Sequence, residues 1–168
     1  MPGKLGRPAK ERNALLRGLA SQLLWYGKIE TTAAKAKQLR SYVEKLITKA
    51  VNTYDDVIEY EVVTKDKSGK EIKVTKVKDG AKKLAARRAI MAKTYDLQEV
   101  KAFAEKKSDY KERTDAIQHP LMEKLFGEIA PKYAARKEEL GQGGGYTRIY
   151  LLGERRGDAS EKAIIELV

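Results

Sequence analysis

Apolar positions in this chain recur at helical spacing in three stretches and at strand spacing in several shorter ones. Leu15, Leu16, Leu19, Ala20, Leu23 and Leu24 share one broad face of a helix that Asn13 can cap and Gly27 can end. A second helix is predicted from Thr31 or Thr32 to about Val51, because Ala36, Leu39, Val43, Leu46, Ile47 and Ala50 repeat at intervals of three and four. Leu121, Met122, Leu125, Phe126 and Ile129 form a third apolar face, opened by His119-Pro120 and ended by Pro131. Two further helices are expected to be mostly polar. Ala81–Lys93 is alanine-rich and basic, with Lys82, Lys83, Arg87 and Arg88; Leu97–Arg113 is dense in both charge signs, with Leu97, Val100 and Phe103 or Ala104 as sparse anchors.

Strand pattern marks the end of the chain. Tyr146–Leu152 is rich in β-branched and aromatic residues, and Ala163–Val168 is nearly all apolar. The segment Gly153–Ser160 between them supplies turn residues, so the two runs predict an antiparallel hairpin with a basic tip. A chain that stops on Val168 while still in strand pattern points to an interior strand, since loose ends are usually polar. Lys28–Thr32 is a candidate third strand beside it. Val57–Thr64 and Glu71–Val77, joined by Lys65–Lys70, predict a separate protruding hairpin. Lys137–Gly145 reads as a loop. Met1–Arg12, broken by Pro2, Gly3, Gly6 and Pro8, predicts no regular element and reads as a flexible arm. The remainder, 13–168, reads as one globular domain.

Charge changes this picture by its distribution. The 168 residues carry a net charge of +11. Residues 1–53 hold 11 Lys/Arg against 3 Asp/Glu, residues 54–116 hold 16 against 13, and residues 117–168 hold 8 against 8. A first third so poor in carboxylates predicts a polyanionic partner rather than charge that serves only solubility. Lys4, Arg7, Lys10 and Arg12 suit an arm that orders on phosphates, and Lys35, Lys37 and Arg40 follow a helix start that also favours anions. The near-balanced hairpin predicts a place at the surface, away from the arm.

Catalytic chemistry finds no foothold. There is no cysteine and one histidine, His119, which precedes a proline and reads as a helix cap rather than a general base. Gly141–Gly145 lacks the lysine and hydroxyl ending of a phosphate loop and leads into a strand. No metal-ligand spacing, cofactor motif, small-molecule site or membrane-length apolar run is present.

Five blocks in order carry a resemblance: KLGRPAKERNALLRGLASQLL (Lys4–Leu24), GKIETTAAKAKQLRSYVEKLITKA (Gly27–Ala50), AARRAIMAKTYD (Ala85–Asp96), LMEKLFGEIAPKYAAR (Leu121–Arg136) and GGYTRIYLLGERRGDASEKAIIELV (Gly144–Val168). Together they resemble the bacterial large-subunit ribosomal protein seventeen family. The resemblance implies an α/β (α+β) fold, with helices packed on a small mixed three-stranded sheet and a basic N-terminal extension. It implies a structural, non-enzymatic role in the cytoplasmic ribosome. The partners it implies are large-subunit ribosomal RNA near the exit of the polypeptide tunnel and neighbouring ribosomal proteins. Implied RNA contacts are Lys4, Arg7, Lys10, Arg12, Arg17, Lys35, Lys37, Arg40, Arg87, Arg88, Arg136, Thr147, Arg148, Arg155 and Arg156. Tyr146 is added as a residue that either stacks on a base or packs in the hairpin. The hairpin at 54–78 and the charged segment at 97–118 look like insertions, as does the shorter loop at 137–143. The same basic surface would also suit a free-standing RNA- or DNA-binding regulator.

Overall fold

Helix α2 (Ala33–Val51) bears the apolar stripe around which the other elements assemble. Ala36, Leu39, Val43, Ile47 and Ala50 are fully buried, as a repeat of three and four on a 3.6-residue turn requires. The computed structural model describes residues 3–65 and 71–168. It packs α2 against α1 (Ala9–Tyr26), α3 (Ala81–Met91) and α6 (Ala130–Leu140), and against one face of a three-stranded sheet. That sheet has the order β1 (Lys28–Thr32), β5 (Glu161–Leu167), β4 (Thr147–Glu154). The α+β expectation holds, with one correction: the sheet is antiparallel in both pairings, not mixed. β1 and β4 run the same way, but β5 lies between them.

The last strand is the central one. Ile29, Ile165 and Ile149 stand opposite one another across the sheet, and Ala163 and Ile165 are fully buried against α2. Backbone bonds tie the end of the chain on both sides, from Leu167 N to Gly27 O (2.8 Å) and from Val168 N to Tyr146 O (3.1 Å). Gly27, at φ 76°, ends α1 in the left-handed conformation that glycine adopts without strain and turns the chain into β1.

Other boundaries move. α1 begins at Ala9, not after Asn13, because Pro8 (φ −56°) leads directly into helix and Glu11 sits in the first turn. Lys10 and Arg12 are therefore helical rather than part of an irregular arm. Pro131 does not end its helix. Helix α5 (Pro120–Lys124), one π turn (Leu125–Ile129) and α6 follow without a break, and Ala130 N–H bonds to Leu125 O, five residues back. Pro131 falls at the start of α6, where the wider turn before it accommodates a ring that lacks an N–H. The helix expected at Leu97–Arg113 shrinks to α4 (Lys107–Thr114), since Val100 and Phe103 find nothing to pack on and stay in solvent.

The second hairpin pairs β2 (Val57–Lys65) with β3 (Glu71–Asp79) and, among the described residues, shares no strand with the main sheet. The expected turn at Lys65–Lys70 lies, after Lys65, outside the described residues, as do Met1 and Pro2. Its root is tied to α3. Asp56 Oδ2 accepts the backbone N–H groups of Lys82 (2.8 Å) and Lys83 (3.1 Å), and Gly80 N–H bonds to Asp56 O (2.8 Å). The Asp56 carboxylate thus caps α3 from outside the helix.

Candidate nucleic-acid interface

The buried stripe of α2 leaves its opposite side in water, and that side is basic. Lys37, Ser41, Lys45 and Lys49 are spaced by four and all exposed, so they form one ridge about 18 Å long at 1.5 Å per residue. Glu44 is the only carboxylate on the helix; it accepts Thr147 Oγ1 (2.9 Å) and lies 3.5 Å from Arg40 Nε. Beside the ridge, Lys45, Lys49 and Lys93 line an open groove of about 510 Å³ with Tyr42 and Thr48.

Both ends of the basic chain converge at the start of α2. Lys35 shares an open cleft of about 370 Å³ with Thr31, Thr32, Arg155 and Lys162, with Glu30 bonded to Lys162 at 3.1 Å. A side-chain carbon at Gly3 would stand 3.5 Å from Gln38 Nε2, so the segment before α1 runs along α2. That segment turns at Lys4–Arg7, closed by Arg7 N–H to Lys4 O (3.1 Å), with Leu5 and Gly6 both at positive φ.

Of the fifteen residues that the resemblance implies as contacts, with Tyr146 as the sixteenth candidate, five are occupied within the fold. The Arg17 guanidinium donates to Ala92 O, while Tyr42 OH donates to Lys93 O (2.9 Å) and Ser21 Oγ accepts Tyr95 N–H (2.7 Å). Together they staple the strand-free segment after α3 to α1 and α2. Burial pushes the Tyr42 phenol up, with Arg17 acting in the opposite direction. Arg87 lies between Asp79 (3.1 Å) and Glu123 (2.5 Å), above the Phe126 ring at 5.5 Å. Arg136 lies half-buried over the Tyr133 ring at 5.9 Å. Tyr146 is 3% exposed, with its ring 4.8 Å from that of Tyr133, so it packs in the core rather than stacking on a base. Thr147 is buried on Glu44. Burial also raises the Tyr133 phenol to about 12, and its hydroxyl donates to Tyr146 O (3.1 Å).

The other eleven reach solvent. Lys4, Lys10, Lys37, Arg88, Arg148 and Arg156 are exposed, and Arg12 and Lys35 are partly so. Arg7 and Arg40, both exposed, each have one partner four residues along, the exposed Glu11 and the partly buried Glu44; the first pairing is weak enough to exchange for a phosphate. Arg155 grips Asp158 through two bonds (2.8 and 2.5 Å), which hold that carboxyl down at about 2 and shape the β4–β5 turn. Lys45, Lys49, Lys93 and Lys162 belong to the same surface but are absent from the resemblance-based set. The signal for the first two is the i+4 row from Lys37, visible once the helix is placed.

His119 occupies the N-cap of α5 by its backbone, but its ring does not cap the helix. Nδ1 instead meets Asp96 Oδ2 at 2.8 Å, on the rim of a small pocket of about 90 Å³. Trp25 packs at the end of α1, with Lys124 Nζ 5.3 Å above its ring and 2.8 Å from its carbonyl. Among the described residues no helix is long and apolar enough to cross a membrane.

Comparison with known proteins gives a consistent result. The family described as ribosomal protein L17 matches residues 15–168. The "Large ribosomal subunit protein bL17" of Lachnospira eligens is 39% identical over 186 aligned positions, covering 98% of this chain and 97% of its own. Those of Acetivibrio thermocellus and Ruminiclostridium cellulolyticum are 37% and 38% identical, the latter covering both chains completely over 198 positions. An alignment of 198 positions on a chain of 168 residues means that this relative carries stretches absent here.

Proposed function

The chain belongs to the ribosomal protein L17 family, and on that footing we propose that it lays the outer ridge of α2 along large-subunit ribosomal RNA near the exit of the polypeptide tunnel. It is a structural constituent of the large subunit of the cytoplasmic ribosome, not an enzyme. The observation that carries the RNA reading is the Lys37–Ser41–Lys45–Lys49 ridge, whose lysines are held on a helix fixed by eight buried apolar side chains.

A helix immobilised in this way loses little entropy when it meets a phosphate backbone, and each neutralised phosphate releases counterions. The Lys4–Arg7 turn and the Arg155–Arg156 turn flank the ridge near its N-terminal end. With Lys10, Arg12, Lys35, Arg40, Arg88 and Arg148 they extend the contact beyond one helix. Because these are phosphate-directed cations with no base-reading aromatic among them, recognition is of RNA shape and not of sequence. The tunnel-exit location rests on family likeness. Leu151 and Leu152, exposed on the edge strand β4, offer an apolar surface for a neighbouring ribosomal protein.

The test is co-sedimentation with large subunits through a high-salt wash. Lys37→Gln/Lys45→Gln/Lys49→Gln should keep its thermal melt and be lost from the subunit far more readily than the unmodified chain. Full retention after the wash would overturn the ridge as the principal contact.

A further inference from the structure

Hairpin β2–β3 has mixed charge by count, but the strand register separates the charges by face. Ile58 pairs with Lys78, Tyr60 with Lys76 and Val62 with Val74, so these six share one face. That face carries two lysines and no carboxylate. Val57 pairs with Asp79, Glu59 with Val77, Glu61 with Thr75 and Val63 with Lys73 on the other. The second face holds all three carboxylates of these pairs against a single lysine, and Lys73 lies 3.7 Å from Glu61. An even balance along the sequence has become a basic face and an acidic face.

The basic face has the make-up of an RNA-contacting surface. Lys78 Nζ stands 5.2 Å over the Tyr60 ring from the diagonal position, and Tyr60, Ile58 and Val74 are each more than a third exposed. The hairpin is also aimed. Asp79, the last residue of β3, lies 3.2 Å from Lys83 Nζ and 3.1 Å from Arg87 Nε, and Asp56 caps α3 at the root. Nine-residue strands reach about 30 Å from that anchor at 3.3 Å per residue. We propose that the Ile58–Tyr60–Val62 face of this hairpin is a second ribosomal-RNA contact, separate from the α2 ridge, in which Lys76 and Lys78 meet phosphates and Tyr60 lies against a ribose or base. The proposal rests on the chain's place in the large subunit and replaces the view of the hairpin as a neutral surface ornament. The acidic face is left to point away from the RNA.

The chain has no cysteine, so one introduced cysteine carries one tethered iron chelate. Lys76→Cys on the basic face, Thr75→Cys on the acidic face and Lys45→Cys on the α2 ridge are each labelled in the full chain, assembled into large subunits, and used to cleave ribosomal RNA with hydroxyl radicals. The expected result is strong cleavage from Lys76→Cys, at an RNA site different from that cut by Lys45→Cys, and several-fold weaker cleavage from Thr75→Cys. Cleavage from Lys45→Cys alone overturns the hairpin proposal and leaves the ridge standing. Cleavage from Lys76→Cys alone supports the hairpin and removes the ridge. Stronger cleavage from Thr75→Cys, or cleavage of a neighbouring protein without RNA from Lys76→Cys, assigns the basic face elsewhere and overturns the proposal. An independent reading uses binding of the full chain to a large-subunit rRNA transcript. Lys76→Gln/Lys78→Gln should lower the slope of log affinity against log salt by up to about two, and Glu59→Gln/Glu61→Gln should not; an unchanged slope for the lysine pair contradicts it.

Discussion

Hairpin β4–β5 lays Ala163 and Ile165 against α2 and gains a third strand in β1, whereas hairpin β2–β3 leaves Ile58, Tyr60, Val63, Val74 and Val77 in solvent and has only its own two strands. Their residue types are much the same, alternating β-branched and aromatic side chains with charges. What differs is access to the stripe of α2. Where that stripe is available, one face of the hairpin becomes core and only the other can meet a partner. Where it is not, both faces stay free, and the register alone decides which charges go together. Position then depends on the root alone, where Asp56 caps the N-terminus of α3 and Asp79 pairs with Lys83 and Arg87.

The largest expected effect sharpens this contrast directly. Ile165→Ala removes a fully buried side chain from the central strand and should cost about 2–5 kcal/mol in urea denaturation, while Val62→Ala in the other hairpin should cost under about 1 kcal/mol. Equal costs would mean that β2–β3 has a core of its own.

A smaller effect is tied to pH. The Tyr133 phenol, raised by burial from 10.0 to about 12, keeps its proton in the folded chain where an unfolded chain would ionise. The folded state therefore binds more protons above pH 10, and stability falls as pH rises from about 10 towards about 12, by roughly 1.4 kcal/mol per unit. Tyr133→Phe should lack this slope. Parallel pH profiles for the two proteins would show that Tyr133 is not held neutral in the body of the fold.

The anchor of β2–β3 can be broken in a way that reveals its partner. Gly80 has an ordinary φ of −69°, but a Cβ there would lie 2.4 Å from the Asp56 carboxylate. Gly80→Ala should cost about 1 kcal/mol by displacing that cap, and almost nothing in an Asp56→Ala background. Hydrogen exchange at the root amides should rise in the single variant. Additive costs in the double variant would remove Asp56 from the account.

Local periodicity makes the body of the fold legible in the sequence. β1 matches Lys28–Thr32, α2 matches its stripe, and the terminal hairpin lies within a few residues of its pattern, because each of these elements repeats at its own period and is bounded by turn residues. The errors arose where one strong local signal was opposed by tertiary packing. Pro131 reads as a stop, yet the apolar face from Leu121 to Ile129 continues through Ala130, Tyr133 and Ala134 into the same core. Leu97–Arg113 reads as helix from dense charge and sparse apolar anchors, and because those anchors find nothing to bury against only its second half forms. The site was less legible than the fold. Arg17 and Arg87 look like other basic residues in sequence, and their partners Ala92 and Glu123 are 75 and 36 residues away. Tyr146 could not be assigned from sequence, because its fate depends on a ring in α6. The ridge at Lys45 and Lys49 was present in the i+4 spacing but gains meaning only once the opposite face is known to be buried.

The central claim is that the basic residues divide into staples and contacts, and one measurement compares them. Affinity for a large-subunit rRNA transcript is followed against salt for the unmodified chain, for Lys37→Gln/Lys45→Gln/Lys49→Gln and for Arg17→Gln/Arg87→Gln, with a urea midpoint recorded for each. The account predicts that the ridge variant loses roughly two to three units of salt slope and keeps its midpoint, while the staple variant loses midpoint and keeps its slope. A staple variant that loses as much slope as the ridge variant, or a ridge variant with an unchanged slope, would contradict it.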